Sequence, residues 1–134
     1  MPIYQCTSPQ GLLTPSAKVE IAERITQIHC EATGAPRSFV NVTFQELADG
    51  DCFVAGQTAR RSYVFADIRH DRDVETRQSM LRNISRAWTQ VTGQPEADLI
   101  VVLTEVDPAN SIEAGEIVPE PGDEQQWLAK IAAR

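Results

Sequence analysis

Two stretches of the sequence end alike and are separated by a constant interval. Residues 25–36 read ITQIHCEATGAP and residues 84–95 read ISRAWTQVTGQP. The interval between their glycines, Gly34 and Gly93, recurs without a gap in several other pairs: Pro36 and Pro95, Tyr4 and Tyr63, and Glu46 and Glu105. Two copies of one unit indicate a fused duplication rather than a solenoid, which needs at least three repeats.

The first copy has the pattern of a strand, a helix and a second strand. A short strand is predicted over residues 3–7. Thr14 can cap the helix that follows, Pro15 suits its first position, and Gly34 suits a left-handed cap at its end. Residues 40–44 then alternate between apolar and polar side chains, as a half-buried strand does.

The second copy follows the same plan. A strand is predicted over 63–68, Asp73 can cap the next helix, and residues 99–103 form a continuous apolar run, which is typical of a strand covered on both faces. Strands joined through one helix usually pair in parallel. The sequence therefore predicts an α/β fold in which two fused β-α-β units form a four-stranded sheet with both helices on one face.

The chain length fits a single domain over residues 1–134. The predicted divisions are a first repeat at about 2–47, a second repeat at about 61–106, and a C-terminal arm over 107–134 that ends in a short helix. Nothing in this plan covers the other face of the sheet. Since an uncovered apolar sheet face would aggregate, we expect a homo-oligomer.

Composition excludes several classes of partner. A formal net charge of −7 argues against nucleic acid, and no apolar run is long enough to span a membrane. The three cysteines show neither CxxC nor metal-ligand spacing. They are predicted to be free thiols, as in a reducing cytosol, and we expect a cytoplasmic protein without a metal site.

Four motifs then point to a known family. They are LTPSAK ending at Lys18, ITxxH ending at His29, VTFQE over 42–46, and PxPGxExxW over 119–127. With the Met-Pro start and the fused repeat, the chain resembles the tautomerase superfamily, and within it the cis-3-chloroacrylic acid dehalogenase family. The resemblance covers nearly the whole chain.

The resemblance implies roles for five residues. Removal of Met1 would leave Pro2 as a secondary amine that transfers protons on a small unsaturated or 2-oxo carboxylic acid. His29, Arg69 and Arg72 would bind the substrate carboxylate, and Glu113 would handle water or a second proton. The resemblance also implies a homotrimer and no metal or organic cofactor.

Other activities stay open on the same site. Val102 stands where the dehalogenases have a tyrosine that helps to activate water, and Ala35 stands where they have a pocket threonine. A valine donates no hydrogen bond, so hydratase and dehalogenase activity is expected to be weak. The alternatives are a keto–enol tautomerase resembling phenylpyruvate tautomerases and a non-catalytic binding protein of the same fold.

Overall fold

A computed structural model describes residues 1–134 and confirms the predicted architecture. Its elements in chain order are β1 (Ile3–Pro9), α1 (Pro15–Thr33), β2 (Asn41–Leu47), β3 (Phe53–Val54), β4 (Gln57–Thr58), β5 (Ser62–Arg69), α2 (Val74–Thr92), β6 (Leu99–Val106), β7 (Ile112–Glu113), β8 (Glu116–Ile117) and α3 (Glu124–Ala132). None of the helices combines the length and the apolar character that crossing a bilayer requires.

Four strands form the main sheet in the order β2-β1-β5-β6. The two outer pairs are parallel, and β1 and β5 are antiparallel at the centre, where the two units meet. Both long helices pack on one face of this sheet. They contribute Ile21, Ile25, Ile84 and Trp88 to a single buried cluster with side chains from β1 and β5.

The predicted caps of both helices are present. Thr14 Oγ1 accepts a hydrogen bond from the Ala17 amide at 3.1 Å, and Asp73 Oδ1 accepts one from the Thr76 amide at 2.7 Å. Gly34 ends α1 in the left-handed region, at a φ of 75° that favours glycine. These signals fix where each helix begins and ends, and so where the site loops leave the sheet.

The structural repeat extends into two small hairpins. β7 and β8 follow β3 and β4 at the same interval that relates Gly93 to Gly34, so the duplication continues into the predicted C-terminal arm. Each hairpin turns through an alanine with a φ of 53° followed by a glycine with positive φ. Two residues with positive φ are what a two-residue hairpin turn requires. The recurring Ala-Gly pair is therefore the sequence feature that marks both hairpin turns.

The constant interval does not hold for the first strand of each copy. Ile3 pairs with Asn41, whereas Ile100, which is the repeat equivalent of Asn41, pairs with Tyr63. Ile3 and Tyr63 are therefore equivalent, and a shift of one residue reverses which face a side chain points to. Tyr4 is fully buried against the helices, but Tyr63 is on the opposite face. The predicted match of Tyr4 with Tyr63 is wrong.

The outer face of the sheet is uncovered in a single chain. Large apolar side chains there remain between about a third and a half exposed: Ile3 40%, Phe65 49%, Ile100 40% and Val102 37%. The expectation that residues 99–103 are covered on both faces is thus not met within one chain. Every second residue of β6 points away from the core.

Candidate functional site

Pro2 lies immediately before β1 and is almost completely buried. Its carbonyl oxygen accepts a hydrogen bond from the Asn41 amide at 3.0 Å, which attaches the start of the chain to β2. Because the pyrrolidine ring also restricts rotation of the backbone, the position of the Pro2 nitrogen is closely defined. An acid–base group has to be held in this way to act on one atom of a bound molecule.

The second hairpin brings Glu113 to the start of the chain. Glu113 Oε2 accepts a hydrogen bond from the Met1 amino group at 2.5 Å, and the glutamate side chain is 35% exposed. Ser111 Oγ donates to the Met1 sulfur at 3.4 Å. The structure therefore places the predicted acid–base carboxylate beside the chain's amino group, one residue from Pro2.

A cleft opens at this contact. It has a volume of about 540 Å³ and is lined on one side by Met1 and Glu113 and on the other by residues of β1, β2 and β5. His29, Arg69, Arg72 and Val102 are not among the lining residues. Of the five predicted site residues, only Glu113 lines this cleft; Pro2 lies between the lining residues Met1 and Ile3 in the sequence, and His29, Arg69 and Arg72 form a second group outside the cleft.

His29 is a buried member of that second group. It is 2% exposed on α1, and its Nδ1 lies 2.8 Å from the Tyr4 hydroxyl. Burial lowers the pKa of His29 to about 4, and the positive charges of Arg72, Arg69 and the amino terminus act in the same direction. With its pKa lowered in this way, the imidazole is neutral near pH 7.

Arg72 has unused hydrogen-bonding capacity. It lies in the loop between β5 and α2, and its Nε is buried without a hydrogen-bond partner. Burial lowers the pKa of Arg72, and the charge of Arg69 lowers it further. A buried donor without a partner is unfavourable, so this guanidinium is well placed to bind an anion.

Arg69 is engaged within the chain. Its side chain is 1% exposed, its Nη1 donates to the Pro119 carbonyl at 2.9 Å, and its Nη2 donates to Glu124 Oε1 at 2.8 Å. The guanidinium also lies over the Phe39 ring, 5.3 Å from its centroid. Burial acts to raise the pKa of Glu124, but the hydrogen bonds from Arg69 and from backbone amides outweigh it and lower the pKa.

Three residues of the site were not predicted from the sequence. The sequence places Tyr4 only in the repeat, and no motif marks Ser111 as a site residue. Glu124 lies inside the PxPGxExxW motif, so its presence there was a usable signal. Its contact with Arg69 depends on the path of residues 107–123, which no local pattern predicts.

The fold and the amino-terminal site define a protein of the tautomerase superfamily. A family model described as "Putative oxalocrotonate tautomerase enzyme" matches residues 1–131, and the chain belongs to this family. No curated protein sequence matches the chain significantly.

Solved structures agree with this assignment. The chain is similar to N1, a member of the cis-3-chloroacrylic acid dehalogenase family, with 28% identity, a TM-score of 0.90, and coverage of 98% of this chain and 99% of that one. It is similar to Pt0534 inactivated by 2-oxo-3-pentynoate, with 28% identity, a TM-score of 0.79, and coverage of 87% and 94%. It is also similar to Q0 fused 4-OT, a symmetric trimer, with 25% identity, a TM-score of 0.80, and coverage of 98% and 99%.

Proposed function

We propose that this protein is a cofactor-independent enzyme that transfers protons on a small 2-oxo or unsaturated carboxylic acid, with the amine of Pro2 as the acid–base group. The observation that carries the proposal is the position of Glu113, whose Oε2 lies 2.5 Å from the Met1 amino group, one residue from the Pro2 nitrogen. A carboxylate beside an amine forms a pair that can pass a proton in either direction.

The proposal requires removal of Met1. While Met1 is attached, the Pro2 nitrogen belongs to a tertiary amide, which has no proton and is not basic. Removal of Met1 creates a secondary amine, and α-amino groups have reference pKa values of roughly 7.7–8.0. Loss of Met1 also vacates its place in the cleft beside Glu113.

The substrate carboxylate is assigned to the group formed by Arg72, Arg69 and His29. Arg72 offers a buried Nε–H without a partner, and His29 is a neutral side chain beside it. Both Nη atoms of Arg69 already donate to Pro119 and Glu124. Arg69 therefore contributes to the site through its positive charge. Such a site selects a small anion by charge and by directed hydrogen bonds.

In a keto–enol tautomerisation, no atom enters or leaves the substrate. The base removes the proton of the enol hydroxyl, the electron pair of the double bond moves, and a proton is added to carbon 3. Pro2 and Glu113 together supply one acceptor and one donor for these two transfers. We favour this reaction because it needs no activated water, and Val102 provides no group to activate one.

The decisive experiment compares two substrates and one covalent probe on protein whose mass shows that Met1 is absent. We expect phenylenolpyruvate to be converted to the keto form faster than cis-3-chloroacrylate is dehalogenated. We also expect 2-oxo-3-pentynoate, the compound that inactivated Pt0534, to label the Pro2 nitrogen, located by peptide mapping. Protein lacking Met1 that neither turns over a 2-oxo acid nor takes the label would contradict the proposal.

Hydration or dehalogenation is the second candidate, and the TM-score of 0.90 to the dehalogenase-family member N1 favours it. In that reaction, the water oxygen bonds to carbon 3, a proton is added to carbon 2, and chloride with a proton is then lost. Glu113 would hold the water. A rate with cis-3-chloroacrylate above that with phenylenolpyruvate would favour this candidate over the first.

We propose further that the chain acts as a homotrimer. Support comes from the apolar outer face of the sheet, where Phe65 is 49% exposed, and from the trimer formed by the similar fused 4-OT. A mass near three times that of the chain, measured by sedimentation equilibrium, is the expected result.

A further inference from the structure

The hydrogen bond between Tyr4 and His29 lies inside the core, away from the cleft. Tyr4 is on the helix side of β1 with 0% exposure, and its hydroxyl oxygen is 2.8 Å from His29 Nδ1. The two rings meet edge to face, with centroids 5.7 Å apart and planes at 82°. Neither side chain can rotate away without breaking this packing.

Only one direction of this hydrogen bond satisfies both groups. If His29 donated from Nδ1, the hydroxyl proton of Tyr4 would need another acceptor, and Tyr4 Oη has no other hydrogen-bond partner in the chain. If Tyr4 donates, its proton and the lone pair of Nδ1 are both used. A buried hydroxyl without an acceptor is costly, so Tyr4 is the donor.

The charge state of both groups agrees with that direction. Burial raises the pKa of Tyr4 far above its ordinary value, and the neighbouring Cys30 thiol adds to the effect. Burial, together with the charges of Arg72, Arg69 and the amino terminus, lowers the pKa of His29 to about 4. Near pH 7 the tyrosine keeps its proton and the imidazole is neutral, so a ring whose Nδ1 accepts carries its single proton on Nε2.

We propose that Tyr4 is a positioning residue that holds His29 as the neutral tautomer with its proton on Nε2. Nε2 makes no hydrogen bond within the chain, so this N–H is a free donor whose orientation is fixed by the Tyr4 contact. On the proposed function, its acceptor is a carboxylate or carbonyl oxygen of the substrate. Because the ring is neutral and its Nδ1 is occupied, His29 binds oxygen without capturing the proton that Pro2 transfers.

The geometry of β1 relates the Tyr4–His29 hydrogen bond to the Pro2 amine. Pro2 and Tyr4 are both buried, whereas Ile3 between them is 40% exposed, so residues 2 and 4 face the same side of the sheet. The amine and the hydroxyl that orients His29 thus belong to one short segment. A displacement of β1 would therefore move the amine and the Tyr4 hydroxyl together.

The direct test is the tautomeric state of His29, measured by long-range nitrogen–hydrogen correlation NMR on histidine-labelled protein. The chain has two histidines, so a His70→Asn variant assigns the signals. We expect the native protein to show a protonated Nε2 and a bare Nδ1. In Tyr4→Phe the Nδ1 acceptor loses its donor, and we expect a mixture of tautomers or exchange with water.

Tyr63→Phe is the matched control. It removes the same atom from the adjoining central strand on the opposite face of the sheet, where the hydroxyl contacts Cys52 Sγ at 3.6 Å. We expect no change in the His29 signals of this variant. Native protein with the proton on Nδ1, or a Tyr4→Phe variant that folds and keeps a pure Nε2–H tautomer, would overturn the proposal. If Tyr4→Phe does not fold, the native spectrum alone decides.

Kinetics separates this proposal from the proposed function. With a 2-oxo acid that the native enzyme turns over, Tyr4→Phe should lower kcat/KM by roughly 2- to 10-fold, mainly through KM, as expected for one neutral hydrogen bond. The NMR measurement needs no substrate. An inert native protein with the expected tautomer would overturn the proposed function and support the role of Tyr4 in holding the ring.

Discussion

Arg69 and Glu124 join the end of β5 to the C-terminal helix through a 2.8 Å ion pair that is shielded from solvent. The arginine side chain is 1% exposed and the glutamate 14%. A pair of this kind is expensive to break on one side only, because the remaining charge stays buried.

Glu124→Gln is therefore expected to destabilise the chain by about 3 kcal/mol or more. The matched control is Glu23→Gln, which breaks the Arg37 pair on the surface, where both side chains are 58% exposed. That change should cost less than about 1 kcal/mol. Urea denaturation followed by circular dichroism measures both, and equal losses in the two variants would contradict the buried role of Arg69.

Pro2→Ala is expected to lower kcat on a 2-oxo acid by a factor of roughly 10²–10⁴, the usual contribution of a positioned acid–base group. The ring that holds the amine in one orientation is lost in this variant. Pro15→Ala, in the exposed first turn of α1, serves as the control and should keep native activity. Full activity in Pro2→Ala, with Met1 shown by mass to be absent, would rule out the mechanism.

Arg72→Ala is expected to raise KM for a carboxylate substrate by roughly 10- to 100-fold, as the loss of charge-assisted hydrogen bonds does. Its Nε has no partner within the chain, so the change removes little internal bonding. Arg82→Ala on the exposed side of α2 is the control. Steady-state rates over a range of substrate concentrations measure both, and an unchanged KM in Arg72→Ala would count against this assignment.

The acid stability of the fold should depend on His29. Burial lowers its pKa from 6.5 to about 4 in the folded chain, so the unfolded chain binds a proton first as the pH falls. Above about pH 6.5 the imidazole is neutral in both states and the free energy of unfolding is unaffected by it. As the pH falls from 6.5 towards 4, protonation of the unfolded chain lowers the free energy of unfolding by up to roughly 3 kcal/mol. His29→Gln should therefore lose less stability than the native chain over this range.

His70 provides the control for that measurement. Its hydrogen bond to Glu120 raises its pKa, so its contribution has the opposite sign and is lost as the pH rises. Because this opposing contribution is removed, His70→Gln should lose at least as much stability on acidification as the native chain does. Urea midpoints at several pH values between about 7 and 5 give both slopes, and a His29→Gln slope equal to the native one would refute the prediction.

Phe65→Asp is expected to dissociate the oligomer. Phe65 is 49% exposed on the outer face of the sheet, and a carboxylate there would be desolvated in an interface. Val19→Asp is the control, because Val19 is 72% exposed on α1 and outside the sheet. Sedimentation velocity distinguishes the states, and an unchanged sedimentation coefficient for Phe65→Asp would place the interface elsewhere.

Much of the fold could be predicted because its signals are local. Thr14, Asp73 and Gly34 determine the helix ends through bonds to residues within a few positions, and the repeat doubled the evidence for each element. The equivalence of β1 and β5 could not be predicted from the repeat interval. The connection from β5 to α2 is one residue shorter than the connection from β1 to α1, whereas the interval from each helix onwards is the same in both copies. Tyr4 and Tyr63 matched as letters but not in space.

The site could be predicted only in part, for a physical reason. The resemblance named residues by type and position, and their roles stay predictions; the structure adds the contacts of Glu113 Oε2 with the amino group and of His29 Nδ1 with Tyr4. The engagement of Arg69 depends on where Pro119 and Glu124 lie after a chain excursion of about 50 residues. Contacts at that separation reflect the whole packing and leave no periodic trace in the sequence.

The two Ala-Gly hairpins illustrate how the two units differ in their reactive side chains. They share a backbone, but Glu113 of the second hairpin corresponds to Val54 of the first, and His29 corresponds to Trp88. The second unit starts in mid-chain, so it has no terminal nitrogen to expose. In the proposed site, the first unit therefore supplies Pro2 and His29, and the second supplies Arg69, Arg72 and Glu113. A covalent reagent for the amine should saturate at one equivalent per chain, not one per β-α-β unit.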